Sequence, residues 1–327
     1  MWYNRPIERS GFVGKGQRKP NVMDLLEFME KYGTEESCRE HLFEKRFSGG
    51  FICPKCGSTQ GVKIATRLLM QCCQCHYQLS ATSGTVMNDT KMPVRKWYLA
   101  IYLITSSKRG ISSKELQRQI GVTYKTAWYV NKRIREAMAS AESKYKLTGE
   151  VTVDEGFFSG RAGGENTGNK PKKRGRGSNK SKVIVAVSLD KNKNPQYAKM
   201  RVVDNFKAKT IENFAQDSIS TGAIIMTDGF SAYKGQALKK SYFHEFENFD
   251  KTDDKSRLKW LHIFVSNVKA FINGTFHGLE RDELQSYLDE FCYRFNRRHM
   301  PHLVFDKLLT SALCTRPVAY YAAGLMG

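Results

Sequence analysis

Carboxylates are scarce in this chain of 327 residues. Asp and Glu number 32 against 53 Lys and Arg, which leaves a net charge of +21. Such an excess of cations favours a polyanionic partner, because neutralising phosphates releases their condensed counterions. An anionic membrane surface is the rival partner. Yet no segment approaches the run of about 20 apolar residues that spans a bilayer. The opening Met1-Trp2-Tyr3-Asn4-Arg5 lacks a signal-peptide core. A disulfide framework is not indicated either. Four of the eight cysteines stand in paired C-x-x-C spacing, which suggests a reducing compartment and a metal. The expectation is a cytoplasmic nucleic-acid protein with no membrane partner. Its length exceeds one core, so two or three domains are expected.

Cys53-x2-Cys56 and Cys72-x2-Cys75 lie fifteen residues apart. This is zinc-ribbon spacing, two knuckles whose thiolates complete a tetrahedral site. All four positions are thiols, with none left for water, so the expected Zn2+ is structural. Cys73 reads as a bystander, His76 as a weaker ligand candidate, and Cys38, Cys292 and Cys314 as core residues. The ribbon is placed at 51–82, after an N-terminal arm and short helices over 1–50.

Residues 83–145 read as a helical DNA-binding domain. Pro93 opens one helix, and Gly110 to Trp128 has helix-turn-helix grammar. Ser112 or Ser113 caps a helix burying Leu116 and Ile120, Gly121 permits the turn, and Thr123 caps a second helix. Ala127, Trp128, Val130 and Ile134 fall at inward spacing. That leaves Tyr124, Lys125, Lys132, Arg133 and Arg135 for a groove or phosphates. Residues 91–137 hold eleven basic and two acidic side chains.

From Val151 the pattern switches to strands: 150–158, 182–190, 197–203 and a run ending at Asp228, with a helix at 208–219. Helices follow at 260–272 and 284–295. Strands and then helices around a mixed sheet give an α/β catalytic domain over 146–300. A tail is left at 301–327. A basic insert at 161–182 has eight Lys or Arg and one Glu among dense glycine. It reads as an arm over a nucleic-acid backbone through Lys172, Lys173, Arg174 and Arg176.

Asp154 closes Val151-Thr152-Val153, and Asp228 closes Ala223-Ile224-Ile225-Met226-Thr227. A carboxylate after a buried run is costly unless it is paired or binds a metal. Two that converge from neighbouring strands meet the needs of divalent-cation phosphoryl transfer. Further on, His262 and Lys269 are seven residues apart and share a helix face with Ser266, whereas Asn267 is rotated off it.

These segments carry a resemblance. Cys53-Pro54-Lys55-Cys56-Gly57, Val153-Asp154-Glu155, Thr227-Asp228-Gly229-Phe230-Ser231-Ala232-Tyr233 and Lys269-x4-Gly274-Thr275-Phe276-His277-Gly278 are four of its parts. The fifth is Tyr287-Leu288-Asp289-Glu290-Phe291-Cys292-Tyr293-Arg294-Phe295-Asn296-Arg297-Arg298. Over roughly residues 22–300 the chain resembles bacterial insertion-sequence transposases that join a zinc ribbon to a DDE-type, RNase H-like domain of the ISXO type. The resemblance implies that Asp154 and Asp228 bind Mg2+ or Mn2+ in a two-metal site and that Lys269 holds a terminal phosphate. It implies strand cleavage and transfer on double-stranded DNA, the partners being the element's terminal inverted repeats and target DNA. It further implies a homodimer or larger assembly, working at the bacterial nucleoid. One position departs from the pattern. Where many relatives place Glu seven residues before the Lys, this chain has His262, with Asn267 and Glu155 as alternative third positions. Glu155 points to the opposite side of its strand from Asp154. A plain nuclease and a DNA-binding regulator with an inactivated domain are the competing functions.

Overall fold

Asp24 and Glu27 hydrogen-bond reciprocally across the first turn of α1 (Leu25–Tyr32) and fix where the described chain becomes helical. The structure, a computed structural model, describes residues 22–158, 180–228, 241–246, 258–276 and 279–316. Two compact units divide it. One takes the described residues up to Ser106, Leu116–Ala137 and those from Met300 onward; the other takes Ser107–Glu115 and Met138–His299.

In the first unit α1 is followed by α2 (Glu35–Phe47), capped by Thr34. A three-stranded antiparallel ribbon comes next: β1 (Gly61–Ile64), β2 (Leu69–Cys72) and β3 (Gln78–Ser80). Then come α3 (Val94–Ser106), α4 (Ser113–Ile120) and α5 (Tyr124–Glu142), the last two crossing the division between units. Ser112 accepts from the Glu115 amide and Thr123 from the Thr126 amide. Gly121 takes the left-handed conformation between them (φ +61°), and Lys96 of α3 donates to its carbonyl at 2.7 Å. The helix-turn-helix caps therefore stand where the sequence placed them.

The second unit is built on one five-stranded sheet. Its strands are β4 (Glu150–Phe158), β5 (Ser181–Leu189), β6 (Pro195–Val203), β7 (Ile224–Thr227) and β8 (Phe243–Phe246). The spatial order is β6-β5-β4-β7-β8, with β4, β5 and β6 antiparallel and β7 and β8 parallel to β4. Counting strands within the unit, this is the order 3-2-1-4-5 of an RNase H-like sheet. One face packs on α6 (Ala208–Ser218) through Val151, Val153, Ile184, Ala186 and Ile225. The other packs on α7 (Lys259–Thr275) and α8 (Leu284–Asn296) through Phe158, Val183, Val185 and Val187.

The motif at 287–298 is structural. From α8, Asn296 accepts from the Ala198 amide at 2.7 Å and donates to the Ala198 carbonyl at 2.9 Å. Gln285, three turns earlier, accepts from the Val202 amide and donates to the Met200 carbonyl. Two side-chain amides thereby satisfy the outer edge of β6, which would otherwise be open to another strand. Arg294 pairs with Glu290 and donates to the Ser107 carbonyl, and Arg297 pairs with Glu142.

The stretch expected to be a tail is corrected. α9 (Val304–Cys314) belongs to the first unit and buries Leu308, Leu309 and Ala312 completely. Phe305 packs against Phe28, Tyr32 and Tyr98. This helix has no side-chain cap at its start, so the usual punctuation is missing from the sequence.

Candidate active site

Asp154 is the fifth residue of the nine-residue β4, which runs on past it to Phe158. It is thus a mid-strand residue, not the end of its strand. Asp228 directly follows β7. The parallel register pairs Thr152 with Met226. The ladder ends at that pair; continued by two residues, its register would bring 154 level with 228, and the Asp228 carboxylate acts on the Asp154 carboxyl. Alternation along β4 puts Asp154 on the face of Phe158, toward α7, and Val153 on the face of α6.

From α7, His262 brings its Nε2 to 3.5 Å from Asp154 Oδ2. The other oxygen of Asp154 accepts from the Glu155 amide at 2.7 Å. The Asp154 side chain is 18% exposed, and that of His262 is 56% exposed. Burial raises the Asp154 carboxyl above the usual range; the Glu155 amide opposes this, the Asp228 carboxylate adds to it, and His262 opposes it again. Asp154 therefore lies between an acidic neighbour and an imidazole. A divalent cation supplies the positive charge that two adjacent carboxylates lack. Two carboxylates and an imidazole suit Mn2+, and the carboxylates suit Mg2+.

Lys269 lies two helical turns beyond His262, its Nζ 5.7 Å from the centre of the Phe158 ring. α7 thus runs alongside β4: His262 beside Asp154, and Lys269 beside the strand's end. Neither alternative third position joins them. Glu155 is on the α6 face of β4, and Asn267 is exposed on α7, well off the stripe of His262 and Lys269. A residue that the sequence reading missed is Glu245 of β8, which pairs with Met226. Alternation puts it on the face of Asp228, two residues short of its level. The strand is only four residues long, Phe243-His244-Glu245-Phe246, too short a pattern to find unaided.

The four cysteines form the second centre. Cys53 and Cys75 Sγ are 3.5 Å apart, as are Cys56 and Cys72, and all four lie within 4.8 Å of one another. Tetrahedral Zn2+ at about 2.3 Å from each thiolate needs sulfurs about 3.8 Å apart. The site fits. The knuckles repeat each other: Gly57 follows Cys56 at φ +74°, and His76 follows Cys75 at φ +54°. Their amides donate to the Cys53 and Cys72 carbonyls. His76 turns its ring toward Gln71, and Cys73 is exposed outside the cluster.

On α5, Tyr124 is 55% exposed and Lys125 is exposed, while Lys132 lies over the Trp128 ring. Arg133 is a correction. It is buried, stacked on Tyr129 and bonded to its hydroxyl, and Arg135 is buried as well. Arg133 follows Val130 by three residues and precedes Ala137 by four, so it flanks the stripe those residues bury. Only the first half of α5 and Lys132 remain for a groove. Lys172, Lys173, Arg174 and Arg176 lie outside the described residues.

Residues 146–296 match the family model of the ISXO2-like transposase domain, and residues 33–78 match the transposase zinc-ribbon domain. The chain thus carries a stretch that matches the ISXO2-like transposase domain, behind one that matches the transposase zinc ribbon. A curated relative, an uncharacterized protein in transposable element ISH50 of Halobacterium salinarum, is 25% identical over 217 residues. That match spans 63% of this chain and 71% of the relative. Among solved structures, a pre-cleavage Mos1 transpososome is similar at 12% identity and a TM-score of 0.27, over 68% of this chain and 79% of that one. The Mos1 mariner paired-end complex with Mn has 13% identity and the same score, over 64% and 76%. At such scores this likeness carries no argument; the strand order and the family models do. Among the described residues, no helix is long and apolar enough to cross a membrane.

Proposed function

We propose that this transposase cuts DNA at the ends of its own insertion sequence and joins the freed ends to target DNA. The observation that carries the reading is Asp154 set between Asp228 on the adjacent parallel strand and His262 on α7. Asp154 would hold two divalent cations in common, with Asp228 and His262 each completing one of the two shells. When bound, the cations activate water and then the 3′-hydroxyl, and stabilise the entering and leaving oxygens of an in-line displacement. Lys269 holds a phosphate next to the reacting one. Its charge is kept beside an aromatic ring at the mouth of the strand pair. The zinc ribbon and the exposed start of α5, with Tyr124, Lys125 and Lys132, select the terminal repeats. Pairing two ends requires a homodimer or a larger assembly.

His262 in place of a carboxylate favours one other reading, a regulator that binds ends without cutting them. Labelled duplex bearing the element's end, incubated with Mg2+ or Mn2+, separates the readings. Joined product is expected from the wild type. Asp228→Asn is expected to abolish cutting and joining while end binding stays within a few-fold. Cutting without joining identifies a nuclease, binding alone identifies the regulator, and a variant that still cuts overturns the site.

A further inference from the structure

α7 has an unusual surface for an exposed helix: its 17 residues include no Asp or Glu. Beyond His262 the same face continues as Ser266, Lys269 and Asn273, at intervals of four, three and four residues, all of them exposed. The far end of the helix meets a different part of the chain. Thr275 Oγ1 donates to the Arg109 carbonyl at 2.8 Å. Gly110, in the left-handed region at φ +78°, lies so close that an added Cβ would stand 2.8 Å from the Phe271 ring. Packing thus fixes the 107–110 turn at the end of α7, where Lys108 and Arg109 are both exposed. Thr275 bonds only the backbone of Arg109 in that contact, so the guanidinium is not the group that holds the turn.

We propose that this face is a phosphate track. It leads the reacting DNA strand from the acidic pair past Ser266, Lys269 and Asn273 to Lys108 and Arg109. From His262 to Thr275 the helix rises about 20 Å, which matches about six nucleotide steps of one strand. Hydroxyl and amide side chains bind phosphate oxygens, cations release counterions, and α7 itself adds no carboxylate to repel the strand. Ser266, Asn273 and Arg109 are positioning residues in this scheme. The track rests on the reading of the acidic pair as a DNA-cutting site.

The test is anisotropy titration of a fluorescein-labelled duplex of about 20 base pairs against salt. Arg109→Ala is expected to reduce the magnitude of the negative slope of log K against log salt by about 1, and Asn273→Lys to increase that magnitude by about 1. Ser266→Asp is expected to lose Mn2+-dependent cutting at enzyme concentrations that saturate the wild type, with an unchanged thermal melt. Unaltered slopes in both binding variants overturn the track. If the slopes shift but the wild type does not cut, the track stands and the proposed chemistry fails. If the wild type cuts and the slopes do not move, the chemistry stands and the track fails.

Discussion

In the proposed site, His262 is the residue that would set which cation the acidic pair prefers. An imidazole is a poor ligand for Mg2+ and a good one for Mn2+. His262→Glu is therefore expected to raise the ratio of Mg2+-supported to Mn2+-supported cleavage, measured as initial rates. An unchanged ratio would remove His262 from the metal shell. Asp289 on α8 gives a stability prediction. Burial pushes its carboxyl up to about 6, against the Gln285 amide that lowers it. A raised acid favours the folded state while protonated, below about pH 4, and that preference is lost as pH rises through 6. Asp289→Asn is thus expected to be more stable than wild type by about 1–2 kcal/mol at pH 8. The gain should vanish below pH 4, and denaturant unfolding at the two pH values measures it. At this scale the sequence was informative wherever a charge interrupts an apolar run. Asp154 and Asp228 were visible for that reason. Arg133 was misread because its spacing from Val130 and Ala137 was given less weight than its charge.

Among the elements, the zinc ribbon was the most legible, because thiol spacing alone encodes a tetrahedral site. Cys73 and Cys314 are exposed and outside the cluster, while Cys38 and Cys292 are buried. The native zinc-loaded protein should therefore show two fast-reacting thiols and the chelated protein six, with the 51–82 segment unfolding. Eight reactive thiols before chelation would contradict the module. The strands of the sheet were readable from runs such as Val183 to Val187, and the helix-turn-helix from its caps. β8 and α9 were not readable. One is four residues long, and the other begins without a cap. The roles of Gln285 and Asn296 were also hidden, since a side-chain amide that bonds a strand edge has no local signature. Only the packed helix shows them.

For the whole molecule, the site is a product of topology. Asp154 and Asp228 are 74 positions apart in sequence, and the crossover through β5, β6 and α6 returns β7 alongside β4. The net charge of +21 favours a polyanionic partner, and the acid-free exposed face of α7 is its proposed route to the carboxylates. The proposed chemistry rests on two neighbouring strands sharing ions through the Asp154 carboxylate. Electron paramagnetic resonance titration of Mn2+ into the protein on duplex DNA tests this most directly. The wild type is expected to bind two ions, and Asp154→Asn to lose both while Asp228→Asn loses one. An Asp154→Asn variant that still binds both would contradict the account.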